Sequence, residues 1–263
     1  MIIAEYIKKL LSFEEYSFSL DEIRKETSKT ETSIRRELDR LTEKNEIVNL
    51  RKGFYLIITP RYSLNKKLPL QLYCEKLFKY LNKNYYIGLF SAAKIHGASH
   101  QQIQKDYLIT EKQKFNDISK KNIDIRFFTS SNWPENNIEI KKSDAGIYKI
   151  SSTALTIVDL INYQSKIGGI NRVYSTIQEL TEELEINDLE TLLSWYKNKS
   201  SLQRLGYLLE EIGVEEDFLN MIYFEISKTD FFPVLLTPKS NEKPGAVNNR
   251  WKVFVNVEYE SDL

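Results

Sequence analysis

The sequence predicts an α+β protein in two parts, a small N-terminal module and a larger mixed α+β C-terminal domain. Three observations carry that prediction. The first sixty residues read as three helices followed by two strands. Strand-like runs then cluster between Tyr107 and Ile150, and helical spacing dominates from Ser151 to Ile226. Strands and helices thus segregate rather than alternate, as in α+β architecture. The boundary falls in Thr59-Pro60-Arg61-Tyr62-Ser63-Leu64-Asn65, where proline ends a strand and periodicity lapses. The parts are therefore residues 1–60 and 61–263.

The N-terminal stretch MIIAEYIKKLLSF is too charged for a signal peptide and too short to span a bilayer. It reads as a first helix with Ile3, Ile7, Leu10 and Leu11 inward. Ser19 followed by Glu22 is a capping box, so a second helix starts near Leu20, with Leu20 and Ile23 on one side. Thr27-Ser28-Lys29-Thr30 interrupts it, because short hydroxyl side chains compete for backbone hydrogen bonds. Ser28 with Glu31, or Thr30 alone, opens the next helix. Ile34, Leu38 and Leu41 form its buried stripe. Lys44-Asn45 ends it, Ile47 to Leu50 is a strand, Arg51-Lys52-Gly53 a tight turn, and Phe54 to Ile58 the return strand.

Helix, turn, helix and two-stranded wing make a winged helix-turn-helix, which places its second helix in the major groove of DNA. Small hydroxyls followed by arginines occupy the outer face of that helix. The candidate DNA-contacting residues are Lys29, Thr32, Ser33, Arg35, Arg36 and Arg40, with Arg51 and Lys52 at the wing tip for phosphate or minor groove. From Arg24 to Lys52 nine basic residues stand against six acidic ones, a balance of +3. That is mild for a nucleic-acid binder.

Composition bounds the rest. The 263 residues carry 37 basic and 37 acidic side chains, for a formal charge of zero, and can bury a sizeable core. Cys74 is the one cysteine, which excludes an internal disulfide and a cysteine-based zinc site. Its amphipathic helical surroundings make it a packed thiol. No apolar run approaches twenty residues, so a soluble, cytoplasmic protein with no membrane partner is expected.

Pro69 sits where a helix begins, with Leu70, Leu72, Tyr73, Leu77, Tyr80 and Leu81 as its apolar face. Ser91 caps a short small-residue helix that Gly97 ends. His96 and His100 flank that glycine; a hydrogen-bonded structural role suits them better than metal ligation, since the helix stops between them. Tyr107–Thr110 and Ile123–Phe128 are strand-like, and Ile138–Lys141 pairs with Ile147–Ile150 across Asp144-Ala145-Gly146. Helices follow over 153–162, 171–184, 189–196, 202–212 and 215–226, the third capped by Asn187 with Glu190. Strands near 231–236 and 251–257 close the chain.

One enzymatic pattern competes. Asp124 with Glu139 and Lys141, on two strands taken as adjacent, has the composition of a magnesium-dependent nuclease site. Against it, E-x-K arises by chance in a chain this rich in Lys and Glu. No phosphate-cradling glycine loop and no G-x-S-x-G are present. No catalytic residue, metal or cofactor is assigned. A protein-interaction adaptor whose winged helix never meets DNA is the remaining alternative.

Nearly the whole chain resembles the AbiEi family of antitoxins of bacterial abortive-infection toxin–antitoxin pairs. The resemblance rests on RKGFYLI, YYIGLFSAAKIHGASHQQ, IDIRFF, KKSDAGIYKISSTALTIVDLINYQSKIGGINRV, QRLGYLLEEIG and NNRWKVFVNVEYESD, in that order. It implies an N-terminal winged helix that binds inverted repeats upstream of its own operon and represses it. It also implies a C-terminal domain that counteracts a nucleotidyltransferase-like toxin, with direct contact between the two left open. Inverted repeats need two winged helices, which two monomers binding side by side or a weak dimer on DNA would both supply.

Overall fold

The computed structural model describes residues 2–63, 67–98, 104–238 and 247–259. The chain gathers into two units, each drawn from three segments. One comprises Met1–Tyr86, Gln104–Ser131 and Ile140–Lys149, the other Ile87–Ile103, Asn132–Glu139 and Ile150–Leu263.

The first unit begins with α1 (Ile3–Ser12), β1 (Ser17–Ser19), α2 (Leu20–Glu26), α3 (Glu31–Glu43), β2 (Ile47–Arg51) and β3 (Phe54–Ile57). The capping box forms as expected: the Glu22 amide donates to Ser19 Oγ, and the Ser19 amide donates to the Glu22 carboxylate. Thr30, not Ser28, caps α3, accepting from the Ser33 amide. Asn45 takes a left-handed conformation (φ 59°) and stops the helix. Ile3, Tyr6, Leu10, Phe18, Ile23, Ile34, Leu38, Leu41, Ile47 and Ile57 form one core, with Ile7, Leu11 and Leu20 partly buried against it. β1 adds a third strand that the sequence did not announce. It pairs antiparallel with β3, Phe18 opposite Tyr55, giving the order β1-β3-β2.

The stretch read as a linker holds one helical turn, α4 (Pro60–Ser63). A 3-10 turn (Leu70–Leu72) precedes α5 (Cys74–Leu81), so Pro69 opens that turn rather than a long helix. Tyr80, expected on the apolar face, is 40% exposed. A six-stranded sheet follows, built from β4 (Tyr85–Ile87), β5 (Asp106–Glu111), β6 (Ile118–Lys120), β7 (Ile123–Ser130), β8 (Ile138–Ser143) and β9 (Gly146–Ser151). Its order is β6-β7-β5-β4-β9-β8. β5 runs parallel to β7, and β4 parallel to β9. The sheet corrects the nuclease arrangement: Asp124 on β7 and the Glu139–Lys141 pair on β8 are not on adjacent strands, because β5, β4 and β9 stand between them. Asp124 instead faces the Arg126 guanidinium at 3.2 Å.

The second unit is helical: α6 (Leu89–Ile95), α7 (Thr153–Ile167), α8 (Ile170–Leu180), α9 (Ile186–Trp195), α10 (Lys199–Ile212) and α11 (Glu216–Ser227). β10 (Val234–Leu235) and β11 (Val253–Phe254) pair in parallel and are shorter than the sequence suggested. Buried α7 is central, its N-terminus capped by Ser152. Two expected caps are corrected. α6 starts at Leu89 after Gly88, leaving Ser91 inside the helix and buried. α9 starts after Glu185, which places Asn187 in its first turn. His96 Nε2 donates to the Ser151 carbonyl at 2.7 Å, the structural role expected of it, while His100 lies outside the described residues. Gly206 of α10 lies flat against Trp251, where an added Cβ would come within 2.2 Å of the indole.

Candidate nucleic-acid interface

α3 is fixed on one side by Ile34, Leu38 and Leu41 in the core, which turns its other faces to solvent. Thr32, Ser33, Arg35, Arg36 and Arg40 are exposed there. Thr32, Arg36 and Arg40 follow at intervals of four and share one stripe. Among the described residues no carboxylate pairs with Arg36 or Arg40. The remaining candidates are more committed. Arg24, which is not one of the candidates, grips Glu31 with two hydrogen bonds, Nε to Oε2 and Nη2 to Oε1, and donates to Asp21 as well. Arg35 Nε reaches Glu31 at 3.1 Å. Hydrogen bonds from Arg24 above all, then Arg35, hold the Glu31 carboxyl down at about 2. Lys29 is ion-paired with Glu37.

At the β2–β3 hairpin the two candidates part. Lys52 is exposed, whereas Arg51 is half-buried. The Arg51 guanidinium lies over the Phe115 and Phe127 rings, 4.9 and 5.4 Å from their centroids. Its Nη2 donates to the Asn116 carbonyl at 3.0 Å, and burial pushes its pKa down. The structure therefore does not bring Arg51 together with the exposed row on α3. Sequence reasoning also missed what holds the hairpin. Lys120 Nζ donates to the Asn49 carbonyl, and Lys121 Nζ to Asn45 Oδ1 and the Thr42 carbonyl. Tyr80 donates to the Lys52 carbonyl. These partners stand 28 to 79 residues apart in the chain, beyond any local pattern.

A second polar cluster lies inside the helical unit. The Asp188 carboxylate accepts from the Ala154 amide at 2.7 Å and from Asn137 Nδ2 at 2.6 Å. Asn137 Oδ1 in turn accepts the Trp195 indole N–H at 2.7 Å. One carboxylate thus ties the start of α7 to α9 and to the segment before β8. No sequence motif marked it.

Among the described residues no helix is long and apolar enough to cross a membrane. Compared with known proteins, the chain combines a small helix-and-strand module with a recognised antitoxin domain: residues 86–211 match the AbiEi antitoxin C-terminal domain. That stretch is an AbiEi-type antitoxin domain, a component of toxin–antitoxin systems, and it implies a cognate toxin. No curated protein matches it. It is similar in fold to the crystal structure of the RV2827C protein from Mycobacterium tuberculosis, with a TM-score of 0.65 at 14% identity over 95% of this chain and 89% of that one.

Proposed function

We propose that residues 1–60 are a winged helix-turn-helix that binds inverted repeats in the operator of its own operon and represses it, while residues 61–263 counteract a nucleotidyltransferase-like toxin. The observation that carries the DNA half is the exposed row Thr32, Ser33, Arg36 and Arg40 on a helix whose opposite side is locked in a core. A helix held that way can enter a major groove without unfolding its support. Arg36 and Arg40 are the leading base or phosphate contacts; Arg35, Lys29 and Lys52 add charge at the margins, and Arg51 acts through the wing's position. The +3 balance gives modest affinity for one half-site, so a second copy on the adjacent repeat supplies the rest. The protein works in the cytoplasm as a regulator and not as an enzyme, as a monomer in solution or a weak dimer on DNA.

The test is fluorescence anisotropy with the duplex upstream of the operon, full-length protein and a salt series. Saturable binding that prefers this duplex over scrambled DNA and weakens steeply with salt is expected. Equal affinity for scrambled DNA would remove the repressor role. Toxin neutralisation that persists in an Arg36→Ala/Arg40→Ala variant would support the division of roles. An adaptor reading gains only if the cognate toxin binds while no DNA does at low salt.

A further inference from the structure

A cavity of about 620 Å³ opens in the first unit beside the C-terminal turn of α5. Four lysines line it, Lys79, Lys83, Lys112 and Lys149, together with Glu75 and Glu111. The carboxylates are already engaged. Lys79 lies 3.5 Å from Glu75 and Lys112 lies 3.2 Å from Glu111. The Tyr85 hydroxyl donates to Glu75, and Asn84 Nδ2 donates to Glu111. Hydrogen bonds from Asn84 first, then Lys112, hold the Glu111 carboxyl below its usual range, so it stays charged. Among the described residues no carboxylate lies within ion-pair distance of Lys83 or Lys149, although Lys83 is near enough to act on the Glu111 charge. The cavity therefore carries two positive charges in excess.

Its wall is rigid. The Tyr85 ring stacks on Phe78 with centroids 4.3 Å apart, and its hydroxyl accepts the Lys149 amide at 3.3 Å. Asn82 in the left-handed region (φ 50°) fixes where Lys83 leaves the helix. The wing tip is next to it in structure: Tyr80, which follows Lys79, holds the Lys52 carbonyl at 3.0 Å.

We propose that this cavity is a phosphate-binding site. Ammonium groups on flexible stems suit phosphate as point charges, and two unmatched cations call for a ligand with at least two negative charges, which a single carboxylate lacks. The phosphates come either from the strand of operator DNA passing the wing tip or from a free phosphate ester. The first source rests on the DNA-binding reading above; the second does not.

The test uses full-length protein, a Lys83→Gln/Lys149→Gln variant and Arg36→Ala as a control, with matched thermal melting. One arm titrates inorganic pyrophosphate and ATP calorimetrically at low salt. The other measures operator binding across a salt series. If DNA supplies the phosphates, the lysine variant lowers the slope of log affinity against log salt by about two and keeps its sequence preference. If a free ester supplies them, pyrophosphate or ATP binds the wild type, binding falls at least tenfold in the lysine variant, and Arg36→Ala leaves it unchanged. Ester binding lost in the lysine variant, with no DNA binding by the wild type, would keep this site and remove the operator reading. Operator binding with an unaltered salt slope, together with no lysine-dependent binding of pyrophosphate or ATP, would overturn the proposal.

Discussion

The Tyr80 hydroxyl donates a hydrogen bond to the Lys52 carbonyl at 3.0 Å, and its ring lies against Phe54, with centroids 5.4 Å apart. One side chain from α5 thus holds the tip of the β2–β3 hairpin. Gly53 beside it has φ 75°, and a Cβ there would stand 2.7 Å from the Tyr80 oxygen.

The clasp makes the first prediction. Tyr80→Phe removes one partly exposed hydrogen bond and should cost about 0.5–1.5 kcal/mol in chemical denaturation. Gly53→Ala adds a left-handed strain of about 1–2 kcal/mol to a collision with that hydroxyl, so it should cost more. Equal effects from the two would mean that the tip relaxes away from Tyr80.

Asp188 makes the second. Asp188→Ala strands the Ala154 amide and leaves Asn137 short of an acceptor within a part-buried cluster. A loss of about 2–3 kcal/mol is expected. Asp188→Asn, which keeps one acceptor oxygen, should lose less. Urea denaturation of both variants checks the order.

Gly206 makes the third. A methyl group at this position meets the Trp251 indole, itself fixed by its N–H donating to Glu210 at 2.6 Å. Gly206→Ala should destabilise by about 1–3 kcal/mol through overpacking, despite alanine's better helix propensity. Pairing it with Trp251→Leu should recover part of the loss in a double-mutant cycle.

Cys74 makes the fourth. It is fully buried, and desolvation above all pushes its thiol up to about 12. Iodoacetamide at pH 8 should leave the native protein unlabelled and label it once unfolded, followed by intact mass. Labelling of the native chain at the rate of a free thiol would show that α5 opens readily.

How much of this was legible from residues alone depended on distance along the chain. The Ser19–Glu22 box, the Ile34-Leu38-Leu41 stripe and the Asn45 stop act within a few residues, so spacing revealed them. β1 escaped because three residues, Ser17 to Ser19, are too few to show alternation. β4 escaped because Tyr85 to Ile87 are all buried, which erases the period of two. The Asn187–Glu190 cap failed because α9 already begins at Ile186, after Glu185, which puts Asn187 inside its first turn. The strand order defeated the nuclease pattern, since neighbours in sequence need not be neighbours in a sheet with parallel pairs. For the candidate interface, the sequence listed a face of α3 that the fold leaves exposed. It could not say which arginines were already spoken for, because Arg51's partners lie some sixty-five residues downstream.

The interleaved segments of the two units also set a timetable for synthesis. β5 finds its parallel neighbour only once β7 has emerged, and the first unit takes its last segment from Ile140–Lys149, past the midpoint of the 263-residue chain. The three N-terminal helices leave the ribosome long before that. Their core closes locally, while Arg51 and the Lys52 carbonyl wait in water for the aromatic rings and the Tyr80 hydroxyl that arrive later. Translation speed between Tyr80 and Phe127 therefore governs how long the nascent β2–β3 hairpin lacks the partners that hold it.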